Sequence, residues 1–283
     1  MLLGYNTNGL AHHDPFAAIE LLADLGYQSV AITLDHGRLN PFAEQFDAEL
    51  LRLKELLRRR NMRSVIETGA RYLLDPRTKH EPTLMSATVE GRERRLDFLR
   101  RSLHAAAVLE SDCLSCWSGV LREAISEEAA FERLIAGLQP LLADAAKCGI
   151  PIGFEPEPGM FIDTMARFEQ LTQRIDSPWF KLTLDVGHLH CQREEPIPEY
   201  ILRWHPWIVN VHLEDMKAGV HDHLMFGRGE MDFFDILAAL TAIDYRGGVH
   251  VELSRHSHVG PQAAAESFEF LEPLVKALQK VQK

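Results

Sequence analysis

KLTLD at Lys181–Asp185 and IVNVHL at Ile208–Leu213 are two strand-like runs, and an amphipathic stretch at Pro198–Arg203 separates them. Most runs of this kind in the chain are apolar throughout, which is typical of parallel strands buried on both faces. The alternation of a short β-rich run with a helical pattern recurs from one end of the chain to the other. The eight predicted strands are Leu2–Asn6, Ser29–Leu34, Arg63–Glu67, Asp112–Trp117, Pro151–Glu155, Lys181–Asp185, Ile208–Leu213 and Val249–Leu253.

Eight amphipathic stretches accompany these runs, and residues typical of helix caps support the predicted ends of several of them. Asp14 is a helix N-cap before a proline at the first helical position, Ser126 is a second cap, and Gly26 and Gly149 directly follow helix ends. The predicted helices are Pro15–Leu25, Glu44–Arg60, Gly91–Leu109, Glu127–Lys147, Thr164–Arg174, Pro198–Arg203, Phe233–Ile243 and Pro261–Lys280.

Eight strand-helix units predict an α/β protein with one (β/α)8 TIM barrel domain over residues 1–283. A doubly wound open sheet is the alternative. That fold usually carries a G-x-G-x-x-G fingerprint after its first strand, and none stands there in this sequence. The barrel is therefore the favoured architecture.

Composition and charge narrow the class of protein. The chain has 283 residues, of which 46% are hydrophobic and 25% charged, so it can bury a large core. Its formal net charge of −11 opposes binding to a polyphosphate backbone. We therefore expect no nucleic-acid partner.

The amino-terminal residues and the number of cysteines indicate the cellular compartment of the protein. Met1–Asn6 shows no basic leader, and its apolar run of three residues is far shorter than a signal-peptide core or a membrane span. Four cysteines are too few for a disulfide framework and fit a reducing compartment. These features predict a cytoplasmic protein with no membrane association.

Four successive predicted strands, the fifth to the eighth, carry a residue that can bind a metal at or next to their carboxyl ends. Glu155 and Asp185 are the last residues of their strands, and His212 and Glu252 stand one residue before the last. A single acid after a strand is usually a helix cap or a solvated loop residue, but in a closed barrel these four side chains would converge near the axis. Three carboxylates and one imidazole suit Mn²⁺, Mg²⁺, Co²⁺ or Zn²⁺, and without a cation the carboxylates would repel one another.

The motifs around these residues resemble the xylose isomerase-like TIM barrel superfamily, which includes sugar phosphate isomerases and epimerases, inosose dehydratases and endonuclease IV-type AP endonucleases. The resemblance implies that Glu155, Asp185, His212 and Glu252 bind one divalent metal. It also implies that Glu155 and Glu252 move protons as catalytic residues and that His188 contacts a substrate oxygen. The motifs are Phe-Glu155-Pro, Leu-Asp185-Val-Gly-His188, Val-His212-Leu-Glu-Asp, Gly227-Arg-Gly229-Glu and Val-Glu252-Leu.

These residue types favour proton transfer next to a carbonyl. A metal on adjacent carbonyl and hydroxyl oxygens stabilises an enediolate, and two glutamates on opposite faces of the carbon can invert its configuration. The favoured function is a metal-dependent isomerase or epimerase of a small keto- or aldo-sugar or polyol. If a β-hydroxyl leaves after the same first step, the enzyme is a dehydratase. A barrel that only binds a sugar is the non-enzymatic alternative.

Departures from the endonuclease IV type disfavour DNA incision by a hydrolase of that class. Its first metal site takes histidines after the third and fourth strands, where this sequence has Glu67–Tyr72 and Cys116–Trp117 without a histidine. His188, His221 and His223 match its third site and could hold a second Zn²⁺. The favoured interpretation is that these histidines donate hydrogen bonds to a polyhydroxylated substrate.

Four further residues are candidate substrate contacts because they follow predicted strands or lie in long loops. His36 follows the second strand, Glu67 ends the third, His80 lies in a long segment after it, and Arg228 lies between glycines after the seventh. Glu67 could instead pair with Arg71. The expected partner is a small carbohydrate, and assembly into a homo-oligomer stays open.

Overall fold

The computed structural model describes residues 1–281, and the last two residues of the predicted domain lie outside that range. Eight parallel strands form a closed barrel in the order β1-β10-β7-β6-β5-β4-β3-β2. The predicted (β/α)8 fold is therefore confirmed. The barrel strands are β1 (Leu2–Asn6), β2 (Ser29–Thr33), β3 (Arg63–Glu67), β4 (Leu114–Cys116), β5 (Ile152–Phe154), β6 (Phe180–Asp185), β7 (Ile208–Leu213) and β10 (Gly248–Val251).

A helix follows each barrel strand and packs outside it, as the amphipathic pattern predicts. No helix within residues 1–281 is long and apolar enough to cross a membrane. The helices are α1 (Pro15–Leu25), α2 (Phe46–Arg60), α3 (Val89–Leu109), α4 (Glu127–Cys148), α5 (Met165–Thr172), α6 (Val186–Cys191), α7 (Ile197–Trp204), α8 (Phe233–Ala242) and α9 (Gly260–Val281).

A short helix and a hairpin that were not predicted lie beside the site. The short helix α6 follows β6 directly, and Asp185 caps it by accepting a hydrogen bond from the His188 backbone N–H at 2.8 Å. An antiparallel hairpin of β8 (Asp215–Lys217) and β9 (Val220–Leu224) follows β7. Six-residue helices and three-residue strands are too short to produce a clear periodic pattern.

The ends of the longer helices follow from their sequence. The Asp14 carboxylate accepts hydrogen bonds from the Phe16 and Ala17 N–H groups, and Pro15 occupies the first helical position of α1. Gly26 ends that helix with a φ of 106°, in the left-handed region that glycine adopts without steric cost. These caps fix where the chain turns back into the next strand.

The barrel interior carries polar side chains among its apolar ones. His250 on β10 is fully buried, and a Cβ added to Gly4 on β1 or to Gly248 on β10 would collide with its ring. The two glycines thus make room for an imidazole where barrels usually pack branched aliphatic side chains. This polar layer lies below the carboxyl ends of the strands, where the candidate site is built.

Candidate active site

Glu155, Asp185, His212 and Glu252 meet at the carboxyl ends of four adjacent barrel strands, and we call them the carboxylate site. Each offers a ligand atom, and these atoms all lie within 4.8 Å of one another. His212 Nδ1 is at the centre, 3.1 Å from Glu155 Oε1, 2.9 Å from Glu252 Oε2 and 3.8 Å from Asp185 Oδ2. The four side chains therefore converge as expected. Asp185 and His212 are register partners on β6 and β7, and Glu155 and Glu252 directly follow β5 and β10.

Burial and mutual charge shift the pKa values in the carboxylate site strongly. Burial raises the pKa of Glu155 to about 8, against the attraction of His212. Burial acts in the same direction on Glu252, but His212 outweighs it and holds the Glu252 pKa far below its usual range. Burial would lower the pKa of His212, yet Glu67, Glu155 and Glu252 raise it well above its ordinary value. One imidazole thus faces several carboxylates.

The excess of acid and the unpaired oxygens fit a bound cation. Asp185 Oδ2 is buried and has no hydrogen-bond partner among the described residues, although the other oxygen caps α6. Glu214 lies behind it, fully buried, and both of its carboxylate oxygens also lack a partner within residues 1–281. Burial and the charge of Asp185 raise the Glu214 pKa well above its usual range. A divalent ion would relieve this repulsion with ligands that hard cations prefer.

His188, His221 and His223 form a second group beside the first, and we call it the histidine cluster. His221 Nε2 is 3.1 Å from His188 Nε2 and 3.3 Å from His223 Nε2. His188 lies on α6, whereas the other two lie on β9 of the hairpin. Asp185 Oδ2 is 3.5 Å from His188 Nε2, so one carboxylate oxygen lies between the carboxylate site and the histidine cluster.

Backbone carbonyls fix two of these rings. His188 Nδ1 donates to the Pro156 carbonyl at 3.2 Å, and His223 Nδ1 donates to the Glu252 carbonyl at 3.1 Å. Burial lowers the pKa of His188 to about 4, so its ring is neutral at pH 7. A neutral ring that donates through Nδ1 presents a lone pair at Nε2. The Nε2 lone pair of His188 faces His221 Nε2 at 3.1 Å.

A cavity of about 210 Å³ opens above the carboxylate site. His80 borders it, with Nδ1 donating to the Gly69 carbonyl at 2.6 Å and its ring edge-on to Trp117. Glu67 borders it too, but Arg71, its alternative partner, donates to the Asn8 carbonyl instead. Of the candidate substrate contacts, the structure brings Glu67 and His80 to this cavity.

His36 and Arg228 lie elsewhere. His36 borders a neighbouring cavity of about 180 Å³, which shares Asn8, Thr33 and Arg71 with the first. Arg228 is exposed on a loop after the hairpin. This loop folds over Asp215, whose Oδ2 accepts hydrogen bonds from the Gly227 and Gly229 N–H groups at 2.9 and 2.8 Å.

Sequence reasoning missed four polar residues around the site. Glu157 lies 3.7 Å from His221 Nε2 and 3.9 Å from His188 Nε2, at the edge of the histidine cluster. Glu214, Asn210 and His250 lie on or next to the barrel strands. The missed signal is the period of two, since Asn210 and Glu214 flank His212 at that spacing and His250 precedes Glu252 by two.

The chain is similar in sequence to an uncharacterized protein and to proteins named as an inosose dehydratase and a putative sugar-phosphate epimerase. An uncharacterized protein of Methanocaldococcus jannaschii, MJ1311, is 25% identical over 203 residues, covering 68% of this chain and 69% of that protein. Inosose dehydratase of Bacillus thuringiensis is 30% identical over 161 residues, covering 50% and 52%. The putative L-ribulose-5-phosphate 3-epimerase SgbU of Escherichia coli is 25% identical over 133 residues, covering 45% and 46%. The chain spans about half the length of these two named enzymes.

Solved structures share the whole fold at low identity. A D-tagatose 3-epimerase-like protein has a TM-score of 0.79 with 19% identity and covers 100% of both chains. D-allulose 3-epimerase from Methylomonas in complex with D-allulose has a TM-score of 0.75 with 21% identity over 96% of each chain. The IOLI protein with a zinc atom has a TM-score of 0.78 with 17% identity over 98% and 99%. Residues 19–274 match the xylose isomerase-like TIM barrel model, and the chain therefore belongs to that family.

Proposed function

We propose that this protein is a divalent-metal-dependent enzyme that moves a proton at the carbon next to the carbonyl of a small carbohydrate, and so isomerises or epimerises it. The observation that carries the proposal is the placement of Glu155 and Glu252. They approach the same atom, His212 Nδ1, from two different strands at 3.1 and 2.9 Å. If the reacting carbon of the substrate is bound between these two carboxylates, one can remove its proton and the other can return a proton to it.

Each residue of the carboxylate site has a separate role in the proposal. A divalent cation there would polarise the substrate carbonyl and stabilise the negative charge that develops beside it. Asp185 and His212 hold the site in place, since both are buried and lie on adjacent strands. Glu155 and Glu252 bind the cation, and they also exchange protons with the substrate carbon.

The cavity supports a small polar substrate. Its volume of about 210 Å³ lies below the roughly 300–1,000 Å³ of pockets that take drug-sized ligands. Among the expected substrate contacts, His80 borders the cavity and is placed to contact a hydroxyl group. His36 would contact only a substituent that extends past Arg71, and Arg228 would contact substrate only after its loop moves toward the cavity. The names of the relatives, an inosose dehydratase and a sugar-phosphate epimerase, agree with this substrate class.

A dehydratase is the second candidate function, favoured by the 30% identity to inosose dehydratase. Removal of the same proton leads to loss of water when the neighbouring carbon carries a hydroxyl group that can leave. Both reactions therefore need the same base. They differ in the product, which for the dehydratase has lost one water.

We further propose that the histidine cluster binds a second metal, with Zn²⁺ the best fit to three imidazoles. The Nδ1–H groups of His188 and His223 already donate to backbone carbonyls, so their Nε2 atoms are the ones that face His221, at 3.1 and 3.3 Å. A proton on His221 Nε2 can be shared with these nitrogens. A cation would replace that proton and bind all three rings.

The test is exchange of carbon-bound hydrogen with D₂O, followed by NMR, in protein loaded with Mn²⁺, Co²⁺, Mg²⁺ or Zn²⁺. Substrates are D-allulose, D-tagatose and an inosose. The wild type should exchange the hydrogen next to the carbonyl, and Glu252→Gln should abolish that exchange because an amide cannot accept the proton. Glu199→Gln, an exposed change on α7, is the matched control and should exchange at the wild-type rate.

The outcomes separate the candidates. Exchange with conserved substrate mass supports the epimerase, and a product that has lost one water and absorbs as an enone supports the dehydratase. Unchanged exchange in Glu252→Gln removes Glu252 as a base. Stabilisation by a sugar without exchange or turnover would leave a binding protein instead.

A further inference from the structure

Glu67 reaches across the barrel from β3 to the far side of the His212 ring. Its Oε1 lies 2.9 Å from His212 Nε2 and 3.1 Å from Asn210 Nδ2. All three side chains are buried. The contact is made on the His212 nitrogen that points away from Glu155 and Glu252.

A continuous hydrogen-bond chain extends behind Glu67. His250 Nδ1 donates to Asn210 Oδ1 at 2.8 Å, and Ser29 Oγ donates to His250 Nε2 at 2.8 Å. The Asn210 amide has one acceptable orientation, because a reversed amide would place its oxygen against the Glu67 carboxylate. Every member of the chain thus has a defined donor or acceptor role.

This chain fixes the proton of His212. An ionised carboxylate only accepts hydrogen bonds, so the ring nitrogen that faces Glu67 must carry the hydrogen. Asn210 Nδ2 lies 3.1 Å from both Glu67 Oε1 and His212 Nε2, and this amide nitrogen is a donor, so it offers no acceptor for that hydrogen in place of the carboxylate. Nδ1 faces the carboxylates of Glu155 and Glu252 in the same way, so both ring nitrogens carry a hydrogen until a cation binds. A cation in the carboxylate site would replace the hydrogen on Nδ1, while Glu67 would keep the one on Nε2.

We propose that Glu67 is a positioning residue that holds His212 in the Nε2–H form, so that Nδ1 is ready to bind the divalent cation. The inference rests on the proposed metal site. It gives Glu67 a role beneath the ring instead of the sugar contact expected from sequence. Partners of this kind fix the ring orientation of a ligand histidine, and their loss typically costs about 10- to 100-fold in metal affinity.

Two conservative variants separate an acceptor role from a simple effect of charge. Glu67→Asp keeps the negative charge but withdraws the oxygen from His212 by about one carbon-carbon bond, roughly 1.5 Å. Glu67→Gln loses the charge but can still present a carbonyl oxygen to His212 Nε2–H and to the Asn210 amide. The positioning role therefore predicts that Glu67→Asp is the worse binder, whereas a charge effect predicts the reverse order.

The experiment measures the Mn²⁺ dissociation constant of metal-free protein by EPR and the visible spectrum of the Co²⁺-loaded protein. We expect Glu67→Asp to weaken Mn²⁺ binding about 10- to 100-fold and to change the Co²⁺ spectrum, and Glu67→Gln to stay within about fivefold of wild type. The matched controls are Glu49→Asp and Glu49→Gln. Glu49 is 8% exposed against 7% for Glu67 and accepts a hydrogen bond from the Leu39 N–H, on α2 outside the site. Both control variants should bind Mn²⁺ as the wild type does.

Contrary outcomes overturn different statements. A wild type that binds no divalent metal overturns the proposed metal site and this inference together. If the wild type binds and Glu67→Asp binds equally well, or if Glu67→Gln is the weaker variant, the inference alone is wrong. A loss of affinity in the Glu49 pair as large as in the Glu67 pair would assign the effect to general destabilisation and also overturn it.

Discussion

The carboxylate site and the histidine cluster are neighbours built on different supports. The first lies at the ends of four barrel strands whose ladders fix its residues, and a buried chain through Glu67 holds its histidine. The second lies on α6 and on the two-stranded hairpin outside the barrel, where Pro156 and Glu252 carbonyls orient two rings. The contrast teaches that the carboxylate site depends on the closure of the barrel, whereas the histidine cluster depends on elements added outside it.

Asp185 is the residue the two sites share, and Asp185→Asn should give the largest effect. Asparagine can keep the cap on α6 but puts an N–H₂ group between His212 and His188, where both sites need an acceptor. We expect turnover to fall on the order of 10³-fold and bound metal to be lost from both sites, since the metal contributes several kcal/mol to the reaction. Metal content by elemental analysis and the hydrogen-exchange rate check this.

The control for that variant is Asp232→Asn, which changes the capping aspartate of α8. It should retain metal and exchange at wild-type levels. If Asp185→Asn kept both ions and full exchange, Asp185 would be a helix cap alone and the two sites would not be linked through it.

His221→Ala should separate the two sites. His221 contacts the other two histidines but is not one of the four ligands of the carboxylate site. We expect this variant to lose the second ion, to keep the first, and to lose about 10-fold in turnover. Elemental analysis per chain measures the change, with the exposed His104→Ala as control. Equal stoichiometry in wild type and His221→Ala would contradict a metal in the histidine cluster.

Gly187→Ala tests the packing that joins the two regions. A Cβ at this position of α6 would collide with the buried Glu214 carboxylate. Overpacking of this kind should lower the free energy of unfolding by about 1–3 kcal/mol, measured in urea. Gly69→Ala is the matched control, because its Cβ would meet nothing nearer than 4.0 Å, at His80. Equal stability of Gly187→Ala and wild type would mean that Glu214 can move without cost.

The smallest expected effect is on the pH dependence of stability, and it comes from replacing His80 at the edge of the cavity. Burial lowers the His80 pKa to about 4, assisted by the charges of Lys79, Arg95 and Arg71. Between about pH 6.5 and pH 4 the unfolded chain binds a proton here that the folded chain refuses, so stability falls as the pH falls. In His80→Gln this slope should decrease by at most about 1.4 kcal/mol per pH unit, measured by urea unfolding. An unchanged slope would show that His80 titrates alike in both states.

Much of the fold could be predicted because the apolar runs, helical periodicity and helix caps that indicate each element lie within a few neighbouring residues. Three predicted strands begin and end at the same residues in the structure, namely Leu2–Asn6, Arg63–Glu67 and Ile208–Leu213. The fourth strand was predicted as Asp112–Trp117 but forms its ladder only over Leu114–Cys116, because a strand ends where its neighbours stop pairing. The hairpin after β7 left no clear pattern, since its three- and five-residue strands are short and largely polar.

Within the site, the sequence by itself predicted that Glu155, Asp185, His212 and Glu252 converge, because a closed parallel barrel brings consecutive strand ends to one rim. Only the tertiary structure decided the partner of His212, the burial of Glu214 and which nitrogen each histidine of the cluster turns toward its neighbours. It also placed His36 beside a neighbouring cavity and Arg228 on an exposed loop. The physical reason is that the order of strands and helices along the chain follows from local sequence patterns, whereas a hydrogen bond from β3 to β7 depends on how the whole barrel closes.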